Sequence, residues 1–203
     1  CIIGMVGGGI TTEEKKYTEG LIKIIKDPMV RAVKCLENFL DVEFKAFIAT
    51  ELGPYNSIVP MAVASSMNKM TVDGDFCGRS KPKISISTTT IGKIPITPLS
   101  IVSEYGDEVI VKDTLNDQRA ENIAREFSRI SKGAISVARC PMKVKDAKKV
   151  LIPNTLSQAI VLGEKVRLAN ETNKNPLHSI IQCYPNALQV FNGTVKEFIR
   201  NEE

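Results

Sequence analysis

The chain has 203 residues, and 43% of them are hydrophobic, which is enough to bury the core of one domain or of a domain with an appendage. Its 27 basic and 23 acidic residues are interspersed and only 5% of residues are aromatic, so the net charge of +4 is weak evidence for nucleic-acid binding. No apolar run reaches the length of a membrane span, and no basic region precedes Cys1 to form a signal peptide. Five scattered cysteines without a CxxC pair favour reduced thiols and a cytoplasmic location.

The opening residues predict a short strand from Ile2 to Val6 that runs into three consecutive glycines. Thr11 followed by Glu14 has the spacing of a capping box, which predicts a helix directly after the glycines. Such a turn either holds an anion on free backbone N–H groups or is a flexible surface loop. It matches neither GxGxxG nor the P-loop pattern, so the loop is favoured. The chain does not begin with Met, and we expect a fragment of a longer protein.

The following segments alternate between helix and strand. Asp27-Pro28 is typical of a helix start, and apolar residues then recur at three- and four-residue spacing as far as Leu40. Residues 44–49 predict an interior strand, 57–68 a buried helix and 70–72 a second strand. This order predicts an α/β fold with a mainly parallel sheet flanked by helices.

The second half predicts a mixed portion with a smaller β-hairpin and several helices. Residues 84–90 alternate apolar and hydroxyl side chains, which predicts a strand with one wet face. The remaining predicted elements are a hairpin (101–112), helices (116–131, 143–150, 155–169, 175–184), a strand (134–138) and a final hairpin (187–198). We expect one α/β domain over 1–203, divisible into a parallel part (1–80) and a mixed part (81–203).

Polar side chains are concentrated where the two predicted parallel strands end. Glu51 follows the first strand and Asp73 the second, and ligands of such sheets bind beyond the carboxyl ends of the strands. Asp75 lies close to Asp73, and two such carboxylates either bind a divalent cation or share a proton. Arg79 either clamps a carboxylate, lowers the pKa of the Cys77 thiol, or pairs with a neighbouring aspartate.

The only histidine, His178, lies in an otherwise ordinary predicted helix, where a surface or structural role is expected. Histidine-rich zinc sites and Ser-His-Asp triads are therefore nearly excluded within these residues. A catalytic site in this chain would have to use carboxylates, a thiol, hydroxyl groups and a guanidinium.

Several short motifs occur along the chain in a recognisable order. They are Glu51-Leu52-Gly53-Pro54, Asn56-Ser57-Ile58-Val59-Pro60, Asp73-Gly74-Asp75, Gly78-Arg79, Ser87-Thr88-Thr89, Cys140-Pro141-Met142, Ile152-Pro153-Asn154-Thr155 and Phe191-Asn192-Gly193. Together they resemble the S-methyl thiohydantoin desulfurase-like family, whose members are associated with hydantoinase and oxoprolinase systems. The resemblance extends over nearly the whole chain.

The resemblance implies hydrolysis in a small cyclic amide or thioamide ring, with a divalent metal ion as the candidate cofactor. By position it implies catalytic roles for Glu51, Asp73 and Asp75, and metal ligation by Asp73 and Asp75. The implied substrate pocket consists of Asn56, Arg79, Thr88, Thr89 and Thr90. It also implies that the family's glycine-rich opening precedes Cys1 and that its C-terminal β-rich domain follows Glu203.

Two functions fit these residues. In the first, the protein is a hydrolase or hydrolase component acting on a C–N or C–S bond of a hydantoin-like or thiohydantoin-like ring. A carboxylate, or a metal ion held by carboxylates, would activate water, and Arg79 would hold a substrate carboxylate. In the second, the protein is a non-catalytic module or subunit of a hydantoinase-type system that binds a small anion. The expected partners are a small-molecule substrate and either a second copy of the chain or a hydantoinase-type subunit, without nucleic acid or membrane.

Overall fold

The computed structural model describes residues 1–10, 13, 15–184 and 186–199. The chain divides into two compact units, Cys1–Leu156 and Ser157–Glu203. The strands are β1 (Ile2–Ile10), β2 (Phe44–Ile48), β3 (Met70–Thr71), β4 (Gly74–Asp75), β5 (Leu99–Val102), β6 (Glu108–Val111), β7 (Ala134–Lys143) and β8 (Ile152–Pro153). The helices are α1 (Lys15–Thr18), α2 (Pro28–Leu40), α3 (Val59–Met67), α4 (Thr88–Ile91), α5 (Asp117–Ile130), α6 (Val144–Val150), α7 (Thr155–Glu171) and α8 (Pro176–Cys183).

The first unit is built on a sheet whose described strands have the order β3-β2-β1-β7-β5-β6. Strands β3, β2 and β1 are parallel to one another, whereas β7 runs antiparallel to both β1 and β5, and β5 runs antiparallel to β6. Strands β4 and β8 form a separate antiparallel pair. The predicted α/β class is confirmed, with the parallel strands forming one half of a mixed sheet.

Each face of the sheet is covered by an apolar cluster, because successive side chains of a strand point to opposite faces. On one face Val6 of β1 packs in a cluster with Leu36 of α2. On the other face Val137 of β7 packs in a cluster with Ala124 of α5. The same alternation places Arg139, two residues after Val137, on the α5 face of the sheet.

Helix α2 has the amphipathic character that its sequence predicts. Pro28 lies in its first turn, where a missing N–H is tolerated, and Asp27 occupies the N-cap position without making a side-chain capping hydrogen bond. Val33 and Leu36 are fully buried. Asp41 ends the helix in the left-handed conformation, with φ of 52°. The apolar stripe therefore faces the sheet, as expected from its spacing.

Most other predicted elements are confirmed with shifts of a few residues at their ends. Strands β2 and β3, the β5–β6 hairpin and helices α3, α5, α6, α7 and α8 occupy the predicted segments. Strand β7 extends to Lys143, well beyond the predicted end, because it pairs along the length of β1. None of the helices in the described part of the chain is long and apolar enough to cross a membrane.

Three predictions of local structure are wrong. Gly7 to Gly9 continue β1 instead of turning, because they pair with residues 135–137 of β7. Residues 84–90 form no strand. Ser87 instead caps α4 by accepting a hydrogen bond from the backbone N–H of Thr89. Hydroxyl residues favour helix caps as well as the solvent-exposed face of a strand, so the alternation of residue types was ambiguous. Residues 187–199 contain neither helix nor strand, so the predicted final hairpin is not found. The predicted capping box at 11 and 14 lies outside the described residues.

The burial of α2 yields a test of the fold. Leu36→Ala should lower the free energy of unfolding by about 2–5 kcal/mol, because it leaves a cavity beneath the sheet. Phe39→Ala on the same helix should cost much less, because that side chain is 45% exposed. Urea unfolding followed by circular dichroism measures both changes, and equal losses would contradict the assigned helix face.

Candidate functional site

A cavity of about 300 Å³ lies beside the sheet within the first unit. Small-molecule sites range from about 300 to 1,000 Å³, so its size suits a small ligand. Among the described residues its wall contains four basic and two acidic side chains. The lining residues are Gly7, Gly8, Gly9, Thr50, Glu51, Tyr55, Asn56, Lys81, Pro82, Lys83, Ile84, Glu121, Ala124, Arg125, Ser128, Ile135, Val137 and Arg139.

Glu51 lies just beyond the carboxyl end of β2 and is almost fully buried, with 8% of its surface exposed. Its Oε1 accepts a hydrogen bond of 2.6 Å from Asn56 Nδ2, and its Oε2 accepts one from the backbone N–H of Lys81. The Asn56 Oδ1 atom accepts a hydrogen bond of 3.0 Å from the backbone N–H of Gly8. Asn56 therefore connects the glycine segment of β1 to the carboxylate of Glu51.

The glycines of β1 leave the space that Asn56 and Tyr55 occupy. A Cβ atom on Gly7 would lie 2.8 Å from Asn56 Oδ1, and one on Gly8 would lie 2.9 Å from Tyr55 Cε1. A Cβ on Gly9 would meet only Ile135, at an ordinary 3.5 Å. Gly7 and Gly8 thus allow the side chains of Asn56 and Tyr55 to approach β1 closely. Gly7 to Gly9 form neither the surface turn nor the anion-binding turn before a helix that the sequence suggested.

Lys81 lines the cavity, and its Nζ atom is buried without a hydrogen-bond partner in the described part of the chain. Burial, and to a smaller extent the nearby Arg139 charge, lower the pKa of Lys81 to about 8, while Cys77, Glu51 and Cys140 oppose the shift. The charged form of Lys81 is therefore held in an environment that disfavours it.

Arg139 is the second basic group of the cavity that sequence reasoning missed. It lies in β7 with only 4% of its surface exposed, and its Nη1 contacts Cys140 Sγ at 4.0 Å. Burial raises the pKa of the Cys140 thiol, so this neighbour is a neutral thiol near pH 7. One signal was available in the sequence, because Arg139 is the one charged residue within the largely apolar run 134–142.

The loop that carries Lys81 is attached to α5 through an ion pair between the buried Glu121 and the exposed Arg125. Glu121 is 2% exposed and accepts a hydrogen bond of 3.0 Å from the backbone N–H of Ile84. Arg125 forms a 2.7 Å ion pair with Glu121 and also donates to the carbonyl oxygen of Pro82 at 2.9 Å. These bonds hold the loop over the cavity, and they leave the charges of Glu121 and Arg125 paired with each other.

The two predicted aspartates do not line this cavity. Asp75 is fully buried, and its Oδ1 accepts hydrogen bonds of 2.6 Å from the backbone N–H groups of Cys77 and Gly78. Asp73 is exposed, and its Oδ1 accepts a hydrogen bond of 3.1 Å from the backbone N–H of Leu156. Both carboxylates therefore stabilise turns around β4 and β8, although Asp75 Oδ2 is buried without a partner within the described ranges.

The other residues predicted to bind substrate also lie outside the cavity wall. Arg79 is exposed, and its carbonyl oxygen accepts a hydrogen bond from the backbone N–H of Leu52. The hydroxyl of Thr88 donates to the carbonyl of Phe76, and Thr89 is buried against the Ser87 hydroxyl. The hydroxyl of Thr90 donates to Asp117 at 2.6 Å. Of the predicted pocket, Glu51 and Asn56 are brought together.

The Oδ1 atoms of Asp73 and Asp75 already accept backbone hydrogen bonds, whereas Asp75 Oδ2 has no partner among the described residues. Nowhere in the described part of the chain do three or more His, Cys, Asp or Glu side chains meet in a group that could hold a metal ion. Metal ligation by these two aspartates stays a prediction from the resemblance.

Comparison with known proteins gives matches over the whole chain. The model for the S-Me-THD-like N-terminal domain matches residues 1–113, and that for the S-Me-THD-like C-terminal domain matches residues 115–203. An X-ray crystal structure of a protein from Chromobacterium violaceum is similar, with a TM-score of 0.73 and 18% sequence identity. The match covers 91% of this chain and 50% of that protein, so this chain spans about half its length. None of the curated proteins matches.

The fold and its cavity define an α/β protein with a charged, ligand-sized cleft beside its parallel strands. The chain belongs to the S-Me-THD-like family, as its motifs indicated. The C-terminal family model already matches from residue 115, so the expectation that this domain begins after Glu203 is wrong.

The glycine wall can be tested with a matched pair of substitutions. Gly7→Ala should lower the free energy of unfolding by about 1–3 kcal/mol, because its Cβ collides with Asn56 Oδ1. Gly9→Ala should have a much smaller effect. In an Asn56→Ala background the Gly7→Ala penalty should shrink, since the colliding atom is gone. Urea unfolding of the four variants measures this coupling, and strictly additive losses would rule out the collision.

Lys81 should make the stability of the protein depend on alkaline pH. Below pH 8 the lysine is protonated in both folded and unfolded states, so the full penalty of its buried charge is present. Between pH 8 and its ordinary pKa of 10.5 only the unfolded state stays protonated, so the penalty fades as pH rises.

The free energy of unfolding of the unsubstituted protein, measured relative to Lys81→Met, should therefore increase from pH 8 to pH 10.5. Lys83→Met serves as the control, because Lys83 is an exposed lysine of the same loop. Urea unfolding at a series of pH values provides the comparison. If the difference in free energy of unfolding does not change between pH 8 and pH 10.5, the Lys81 ammonium is not held in a buried environment that lowers its pKa.

Proposed function

We propose that the cavity binds a small cyclic amide or thioamide ring of the hydantoin or thiohydantoin type and hydrolyses a C–N or C–S bond of that ring. Family membership supports the class of ring. The observation that carries the hydrolytic step is the carboxylate of Glu51, which is buried in the cavity wall and oriented by Asn56 and by the Lys81 backbone. A carboxylate that is positioned by hydrogen bonds is a suitable general base.

In the proposed reaction Glu51 takes a proton from water while the water oxygen attacks the ring carbon. Each carboxylate oxygen accepts one hydrogen bond from the protein and has a further lone pair for the water. The C–N or C–S bond then breaks, its electron pair stays on the leaving nitrogen or sulfur, and protonated Glu51 returns the proton to that atom. The carboxylate is regenerated, and no other reactant than water is required.

Asn56 has a positioning role and a binding role in this scheme. One N–H of its amide donates to Glu51 Oε1, which fixes the base, and its second hydrogen suits the ring carbonyl oxygen. In this proposal Asn56 has the substrate-binding role that the resemblance implies. Roles of Asp73, Asp75, Arg79 and residues 88–90 in this reaction stay predictions, because none of them lines the cavity.

A second function is favoured by the basic excess of the cavity. Glu121 and Arg125 pair with each other, which leaves Lys81, Lys83 and Arg139 against one remaining acid. Such a site suits a non-catalytic module or subunit that binds a small anion for a hydantoinase-type partner. Tight ligand binding without turnover by the purified protein would favour this alternative. Association with that partner or with a second copy, and a cytoplasmic location, stay predictions.

The hydrolase proposal is tested by Glu51→Gln. Turnover of hydantoin, thiohydantoin or S-methyl thiohydantoin should fall by about 10²–10⁴-fold, because an amide cannot accept the proton of water. Product release is measured by liquid chromatography with mass detection. Glu126→Gln is the matched control, since Glu126 is an exposed residue of α5 paired with Arg129 and lies outside the cavity.

Equal turnover by Glu51→Gln and the unsubstituted protein would remove Glu51 from the mechanism. An equal loss in Asp75→Asn, with the fold intact by circular dichroism, would instead return the catalytic role to the aspartate predicted from the resemblance. Binding of the ring compounds without product from any of the proteins would leave the binding module as the function.

A further inference from the structure

We propose that Lys81 and Arg139 form an anion subsite within the cavity, which selects ring substrates carrying a carboxylate arm. The inference rests on the proposed function for the ring itself and adds the chemical class of the substituent. Lys81 and Arg139, which both line the cavity, would then bind the substrate carboxylate that the sequence analysis assigned to Arg79.

Two buried cations that have no anionic partner among the described residues carry this inference. Arg139 is 4% exposed, and the contact made by its guanidinium is with a thiol sulfur. Lys81 Nζ is buried and makes no hydrogen bond to any residue that the structure describes. Buried charges in proteins are normally paired, because an unpaired ion loses its hydration without compensation. Both cations border the same ligand-sized space, so a ligand anion is the missing partner.

The acidic groups of the cavity do not fill this role. Glu121 is held by Arg125 and by the backbone of Ile84. Glu51 accepts hydrogen bonds from the Asn56 amide and from the Lys81 backbone, and it raises the pKa of Lys81 less than burial and Arg139 lower it. The charge left uncompensated around Lys81 is therefore positive.

The charged and titratable groups that act on Lys81 are Arg139 and Cys140 of β7, Cys77 after β4, and Glu51 after β2. Arg139 lowers the pKa of Lys81 and the other three raise it, while burial remains the largest influence. A ligand anion placed between Lys81 and Arg139 would offset the repulsion between the two cations and raise the pKa of Lys81. Binding should therefore be accompanied by proton uptake near pH 8.

A carboxylate fits this pair better than a larger oxyanion. The planar guanidinium of Arg139 matches two carboxylate oxygens, and the lysine acts as a point charge beside them. The cavity is at the small end of the range for ligand sites, and the ring must share it. The exposed Arg79 lies outside the wall and would lose little of its hydration on contact with a ligand.

Isothermal titration calorimetry tests the subsite with two matched probes, hydantoin-5-acetate and its neutral analogue hydantoin-5-acetamide. The carboxylate should bind the unsubstituted protein about tenfold or more tightly than the amide, as expected for hydrogen bonds to a charged group. Titrations at pH 8 in two buffers of different ionisation enthalpy should show uptake of roughly half a proton with the carboxylate and none with the amide.

Lys81→Met should abolish the proton uptake and most of the preference for the carboxylate. Arg79→Met is the matched control that should retain both, because Arg79 is exposed and does not line the cavity. Arg139→Lys keeps the positive charge but lacks the planar fork, so it should bind the carboxylate more weakly while proton uptake persists. Thermal unfolding followed by circular dichroism establishes that each variant is folded.

Succinate and inorganic phosphate separate the subsite from the proposed reaction on the ring. Succinate binding that is lost in Lys81→Met supports the subsite even if no ring compound is turned over, in which case only the hydrolase proposal fails. Turnover of hydantoins without any preference for the carboxylate overturns the subsite alone. Failure of both succinate and hydantoin-5-acetate to bind, or stronger binding of phosphate than of succinate, also overturns it.

Discussion

The cavity depends on the hydrogen-bonded bridge that Asn56 makes between β1 and the segment after β2. The Asn56 carbonyl oxygen accepts from the Gly8 backbone, and the Asn56 amide donates to Glu51. This bridge exists only because Gly7 and Gly8 leave room for the side chains that approach β1. The position of the Glu51 carboxylate is therefore set by close packing between two neighbouring parallel strands and their loops, and not by the strand end alone.

The electrostatic character of the cavity follows from how its second wall is held. The ion pair of Glu121 and Arg125 attaches the loop of residues 81–84 to α5, so Lys81 is kept inside. Strand β7 brings Arg139 to the same space from the sheet. Two cations near each other in a buried site are unfavourable for stability, and strongly perturbed groups of this kind concentrate at functional sites.

Glu51 and Asn56 could be predicted from the sequence because both lie close in the chain to the end of a recognisable strand. Asp73 and Asp75 show the same local pattern, but neither lines the cavity, and their Oδ1 atoms accept backbone hydrogen bonds around β4 and β8. Lys81 and Arg139 could not be assigned in the same way. They are far apart in the chain, and their meeting depends on β7 pairing with β1.

The sequence by itself determined the α/β class, the family and the location of most helices and strands, because apolar periodicity, caps and short motifs are properties of neighbouring residues. The tertiary structure decided which polar groups share a cavity. Strand order and register bring together residues that are distant in the chain, and a shift of one residue would turn a side chain to the other face of the sheet. For that reason only the folded sheet shows that three glycines form a wall and that a buried arginine stands beside Lys81.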